Sequence, residues 1–213
     1  MTKFVFVRHG QSLGNKTERF LGHTDLDLSE TGYKQAEKTA EYIAAHYKID
    51  KIYSSDLLRA YNTALPAAKK LNLNIIKDEN LREIYAGEWE GKTFLGLREE
   101  FPEDYMLWLE DIGNARCTGG ETVAHLLSRA EKELLKLAEE NDGKTLLVVT
   151  HATFLRAMQC VWKGVGLDGM KNFPWVSNAS VSEVDYSNGK WKEIMIGENS
   201  FMGELESSLP ANV

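Results

Sequence analysis

The chain has 213 residues, 43% of them hydrophobic and 27% charged, ordinary proportions for a globular protein with a large core. A formal charge of -7 argues against general nucleic-acid binding and against an acidic membrane surface, so neither is an expected partner. No apolar run approaches the ~18 residues of a bilayer span, residues 4–7 are too short for a signal-peptide core, and Cys117 and Cys160 sit in no CxxC or metal-ligand spacing. A reducing, cytoplasmic setting is therefore expected.

In chain order, Phe4-Val5-Phe6-Val7 reads as a buried strand running into Arg8-His9-Gly10. Residues 11–27 are mostly polar and read as a loop with room for one helical turn. Ser29 is a plausible N-cap of a helix whose face carries Tyr33, Ala36, Ala40, Ile43 and Tyr47. Lys51 to Ser54 is a second strand. Asp56 is expected to cap the next helix, with Leu57, Ala60, Tyr61, Ala64, Ala68 and Leu71 inward and Pro66 kinking or stopping it. Asn74 to Lys77 makes a third strand.

The stretch 78–120 is less regular: a loop through 81–91, then two short helices near 93–100 and 102–111. A long helix follows to about Asn141, with Val123, Leu126, Leu127, Ala130, Leu134, Leu137 and Ala138 inward. Leu146-Leu147-Val148-Val149 is a continuous apolar strand, hence buried on both faces, and leads through Thr150-His151-Ala152 into a helix to about Trp162. Ser187-Asn188-Gly189 joins a closing hairpin, and residues after Gly197 read as a loosely docked tail. One domain over 1–213 is expected. Its fold class is α/β, a three-layer α/β/α sandwich with a mainly parallel central sheet.

Two places share one design: a buried strand ends in a histidine and then a small residue, at His9-Gly10 and at His151-Ala152. Either histidine alone reads equally well as a hydrogen-bonded strand end. If both strands are central and parallel, both imidazoles would emerge on the same edge of the sheet, where open α/β sheets place ligands. Arg59, in the first turn of its helix, opposes the helix dipole; an anion between it and the helix end would explain it, as would pairing with Asp56. Among loop carboxylates, Glu79, Glu83, Glu88 and Glu90 are equal candidates for proton transfer.

These residues carry a resemblance. RHG at 8–10 with Asn15 beyond it, GHTDLDLSETGYKQA at 22–36, YSSDLLRAYNTA at 53–64, LREIYAGEWEGKT at 81–93, GGET at 119–122 and VVTHATFLR at 148–156 resemble the histidine phosphatase superfamily, the phosphoglycerate mutase-like family. The blocks come in family order. The resemblance implies that His9 is the phosphorylated nucleophile, that Arg8, Arg59 and His151 bind the phosphoryl oxygens with Asn15, and that Glu83 is the general acid and base. Gln11 and Ser12 would line the pocket entrance, His23 would lie near the mouth, and Ala152 would border the pocket.

One departure stands out: relatives usually have glycine where this chain has Ala152. If the backbone there required positive φ, His151 would be displaced; if not, the methyl is tolerated.

Within the resemblance, the compact 78–120 segment and its GEWEGKT wording point to the phosphatase branch. There this segment covers the active site, and some of Phe94, Phe101, Tyr105, Leu107 and Trp108 would contact substrate. The expected function is a phosphomonoesterase acting on a small-molecule phosphate monoester, with no cofactor and no metal, since neither HExxH nor a carboxylate-rich metal motif occurs. Alternatives are a cofactor-dependent phosphoglycerate mutase and a non-catalytic phospho-ligand or protein-binding member. Relatives occur as monomers, dimers and tetramers; a homodimer is among the states allowed.

Overall fold

A computed structural model describes residues 1–209. Six strands form one sheet in the order β3-β2-β4-β1-β5-β6. They are β1 (Thr2–Arg8), β2 (Lys51–Ser54), β3 (Ile75–Lys77), β4 (Thr145–Thr150), β5 (Val181–Ser187) and β6 (Lys190–Glu198). The first four run parallel, and β5 and β6 add an antiparallel edge. This matches the expected mainly parallel sheet. At the hairpin tip Asn188 and Gly189 both take positive φ, 52° and 73°, the pair that a tight two-residue turn requires.

Alternation along the central strands assigns their side chains to two cores. Phe4, Phe6, Leu146 and Val148 face the layer of α6 (Val123–Glu140) and α7 (Ala152–Lys163). Val5, Val7, Leu147 and Val149 face the opposite layer, where α2 (Glu30–His46) and α3 (Leu58–Leu71) pack. Burial on both faces explains the unbroken apolar runs FVFV and LLVV.

Four local expectations are corrected. Asp56 does not cap α3: it pairs with Arg82, and the first amide of the helix, Leu58 N, donates instead to Asp25 Oδ1 at 2.7 Å. Of the kink or stop expected at Pro66, the stop does not occur: the helix runs on to Leu71, and Ala60 and Ala64 before the proline and Ala67 and Ala68 after it are all buried against the sheet. The tail is not loose as far as Leu209. Ser207 O accepts from Asn178 N, Gln35 Nε2 donates to Leu205 O, and Met202 is fully buried; residues 210–213 lie outside the described residues. On α2, Tyr33 leaves the buried face and its hydroxyl donates to Asp27 Oδ2.

Between β3 and β4 the chain forms two single-turn 3-10 helices (Glu79–Leu81 and Gly87–Trp89), then α4 (Phe94–Glu100) and α5 (Pro102–Glu110). A further short helix, α1 (Leu13–Lys16), occupies the loop after β1, capped by Ser12.

Candidate active site

The register of the two central strands builds the site. Arg8 of β1 sits opposite Thr150 of β4, so His9 and His151 leave adjacent strands side by side. His9 N donates to Thr150 O at 2.9 Å, and the two imidazole rings stand edge to face with centroids 5.1 Å apart. Gly10 is needed for closeness: a Cβ there would lie 2.7 Å from Gly32 O, where β1 meets the start of α2.

The His9 ring is oriented by its own neighbour. Its Nδ1 lies 2.7 Å from Gly10 O, which can only accept, so Nδ1 carries the proton and Nε2 keeps a lone pair. Burial, reinforced by the charges of Arg59 and Arg8, holds the His9 pKa well below the usual histidine range, and His151 is lowered by burial and by Arg59. Arg8 and Arg59 are themselves buried, and desolvation brings each down to about 10, still cationic at neutral pH.

The cations are tethered to backbone rather than neutralised by a contacting carboxylate. Arg8 Nη1 donates to Val176 O at 2.6 Å, and Arg8 Nε is buried without a partner. Arg59 reaches from the first turn of α3 to Gly22 O at 2.7 Å and Thr24 O at 3.0 Å. His151 Nε2 meets Ser55 Oγ at 2.8 Å, while its Nδ1 is buried and unpartnered. Asn15 turns its Oδ1 to the backbone and side chain of Ser12 and to Asn178 Nδ2, leaving its own amide nitrogen uncommitted.

Glu83 is held at the N-terminus of α7, where its Oε2 accepts from Thr153 N at 3.1 Å and its Oε1 from Ile84 N at 2.9 Å. Its carbonyl receives Arg129 Nη2 at 2.7 Å and His23 Nε2 at 2.9 Å. Of the other loop carboxylates, Glu90 accepts from the amides of His23, Thr24 and Ala86, and Glu79 and Glu88 are exposed away from the cleft.

Arg8, His9, Asn15, Arg59, Glu83 and Ala152 converge on one open cleft. His151 is fully buried behind His9. Gln11, Ser12 and His23 do not line this cleft. Gln11 bonds to Ser29 and Gln35 at the start of α2, Ser12 caps α1, and His23 braces the backbone of Glu83. Ala152 is the first residue of α7 and is not among the residues with positive φ, so its methyl leaves His151 in ordinary extended backbone.

The far wall is formed by Phe20, Leu21, Phe94, Trp108, Trp175 and Leu209, with Arg19 beside them. Phe94 and Trp108 come from the 78–120 segment; Tyr105 is buried in the core beneath Trp89 and Leu107 faces outward. Sequence reasoning missed Arg19, Ser55, Arg129, Trp175, Asn178 and Leu209. Among the described residues, no group of three or more His, Cys, Asp or Glu side chains could hold a metal ion. Among the same described residues, no helix is long and apolar enough to cross a membrane.

Comparison with known proteins agrees with this geometry. The family model "Histidine phosphatase superfamily (branch 1)" matches residues 4–199. Phosphoserine phosphatase 1 of Hydrogenobacter thermophilus is 37% identical over 205 residues, covering 96% of each chain. A metal-independent phosphoserine phosphatase of Arabidopsis thaliana is 32% identical over 90% of this chain and 79% of its own. The solved structure of YhfR from Bacillus stearothermophilus superposes with a TM-score of 0.90 at 27% identity, covering 95% of this chain and all of its own. The chain belongs to branch 1 of the histidine phosphatase superfamily and is a phosphomonoester hydrolase.

Proposed function

We propose that this protein hydrolyses small phosphomonoesters without a metal, through a phosphohistidine on His9 Nε2. The observation that carries the reading is the His9 ring itself. Its Nδ1 proton is committed to Gly10 O, and its Nε2 lone pair stays unprotonated because burial and two guanidiniums disfavour the imidazolium. A neutral imidazole flanked by Arg8 and Arg59 suits attack on a dianionic phosphoryl group.

In the first half-reaction Nε2 attacks phosphorus, the bond to the ester oxygen breaks, and Glu83 in its acid form gives that oxygen a proton. In the second, Glu83 takes a proton from the water that attacks phosphorus, and the P–N bond breaks. Charge on the transferring group is met by Arg8, Arg59, the Asn15 amide and His151. Ser55 Oγ donating to His151 Nε2 would put that imidazole's proton on Nδ1, the nitrogen with no partner in the free protein. Gln11 and Ser12 act one step back, by fixing the loop that carries Asn15. The 78–120 segment, as the cover of the cleft, would contribute to substrate choice through Phe94 and Trp108.

The names of the relatives put phosphoserine first among substrates to try. The test is phosphate release from a panel of small phosphomonoesters with and without EDTA. Hydrolysis at an unchanged rate under chelation is expected. Loss of activity on chelation would overturn metal independence, and net 3- to 2-phosphoglycerate conversion dependent on 2,3-bisphosphoglycerate would overturn the hydrolase reading in favour of a mutase.

A further inference from the structure

A turn at residues 176–180, just before β5, braces the exit of β1. Arg8 N donates to Ser180 O at 3.3 Å, Arg8 Nη1 donates to Val176 O at 2.6 Å, and Ala179 N is shared between Arg8 O at 3.0 Å and His9 O at 3.2 Å. Ala179 holds φ at 58°, a left-handed value unfavourable for a residue with a Cβ, and its carbonyl is pinned by Thr39 Oγ1 at 2.8 Å. The side chain this turn delivers is Asn178, which is 1% exposed and takes no part in the chemistry above. Its Nδ2 lies 3.1 Å from His9 O and 3.3 Å from Asn15 Oδ1, across 169 and 163 residues of sequence. His9 O can only accept, so the amide nitrogen faces it, and the two hydrogens of Nδ2 serve one acceptor each. At the other end Asn178 Oδ1 accepts from Ser207 Oγ at 3.2 Å, and Asn178 N donates to Ser207 O at 2.8 Å. The amide cannot turn over without losing all three side-chain bonds.

We propose that Asn178 is a positioning residue of the phosphate end: its one amide group sets the Asn15 amide in register with the nucleophile His9. This rests on the phosphomonoesterase reading of the cleft. Asn15 Oδ1 also accepts from Ser12 N at 3.0 Å and from Ser12 Oγ at 2.9 Å. Those donors fix which way the Asn15 amide points, leaving its nitrogen for an anion in the cleft that Asn15 lines. They do not fix where the amide stands, because Ser12 and Asn15 belong to the same single turn and move together. Asn178 supplies that reference from outside the loop, since the nitrogen that holds Asn15 also holds the backbone of His9. A phosphoryl group bound between Asn15 Nδ2 and His9 Nε2 needs the two at constant separation, and a misplacement of about 1 Å costs on the order of a hundredfold in rate.

A double-mutant cycle on the full-length chain separates positioning from scaffolding, with p-nitrophenyl phosphate as substrate and inorganic phosphate as competitive inhibitor. Asn178→Ala should lower kcat/KM about tenfold and raise the inhibition constant of phosphate by a similar factor, the worth of one hydrogen bond held in place. In an Asn15→Ala background the same substitution should cost no more than about threefold, because the group it positions is already gone. Equal losses in the two backgrounds would make Asn178 a scaffold residue and overturn the inference, as would a loss below about twofold with Asn15 present. Asn178→Ser, whose hydroxyl is too short to span both acceptors, repeats the cycle with the same expectation should Asn178→Ala misfold. Failure of both variants to fold would likewise mark a scaffold role and overturn the inference. Absence of hydrolysis by the wild type would overturn the phosphomonoesterase reading and the inference with it, whereas hydrolysis with additive losses overturns the inference alone.

Discussion

The two ends of the cleft are built by different means. At the phosphate end the polar groups come from strand exits and helix starts: His9 after β1, His151 after β4, Arg59 in the first turn of α3, Glu83 against the first turn of α7. Their positions follow from sheet register and backbone hydrogen bonds, which permit little movement. At the ester end the wall is assembled from the loop after α1, from α4 and α5, from the segment before β5 and from the tail as far as Leu209, and its rings pack on one another. The first end suits one charge distribution common to every phosphomonoester. The second can vary in chemistry without disturbing the first, so catalysis and substrate choice are expected to separate under mutation.

The largest effect should come from the phosphate end. His9→Ala should lower turnover of every phosphomonoester by at least about a thousandfold, whatever the leaving group, because no other side chain offers a nucleophile at that point. Steady-state kinetics on an alkyl and an aryl phosphate would check this, and a variant that keeps most of its rate would break the account.

Glu83→Gln sits at the boundary between the two ends and should separate them by leaving group. An alkyl phosphate, whose alkoxide needs a proton, should slow by roughly 10²–10⁴-fold, and p-nitrophenyl phosphate far less. Equal losses on the two esters would remove the acid role.

Arg129 offers a finer cut, since it does not line the cleft and yet holds the carbonyl of Glu83 while paired with Glu121. Arg129→Gln should reduce kcat on alkyl phosphates on the order of tenfold by loosening Glu83, with little change in KM. A change confined to KM, or one equal for aryl and alkyl esters, would mark Arg129 as a scaffold residue only.

The smallest effect is on stability. His9 and His151 stay neutral in the fold well below the ~6.5 of an exposed histidine, so below that pH the unfolded chain binds more protons than the native one. The stability they permit is therefore fully present above about pH 6.5 and falls as the pH drops through it, by up to about 1.4 kcal/mol per pH unit for each group. Urea denaturation between pH 7.5 and 5 should show a shallower pH dependence for His151→Asn than for the wild type. Identical curves would indicate that His151 is not held neutral.

The same contrast explains what could be read without a structure. The phosphate end was legible because it is local in sequence: FVFV before Arg8-His9-Gly10 and LLVV before Thr150-His151 each place a histidine at the exit of a continuous apolar run. Arg59 stood out as a cation against a helix dipole, although the cap expected from Asp56 was supplied across the loop by Asp25. Glu83 could not be told from Glu79, Glu88 and Glu90 by pattern; only the resemblance, and then its bonds to Ile84 and Thr153 amides, distinguish it.

The ester end was poorly legible because its residues meet only in three dimensions. Trp108 could not be separated from Tyr105 on α5, where one lines the cleft and the other the core. Trp175 and Leu209 lie in segments with no periodicity. The tail docks through Ser207 and Leu205 to Asn178 and Gln35, contacts made over more than 25 residues of sequence separation, which no local signal encodes.

The central claim is that phosphate passes through His9. Rapid mixing of the protein with a 32P-labelled phosphomonoester, followed by an alkaline quench and peptide mapping, tests it directly. The account predicts label that is stable to alkali and labile to acid, on the peptide containing His9, at up to one phosphate per chain, and absent in His9→Ala. Label that survives acid, that maps to another residue, or that persists in His9→Ala would contradict it.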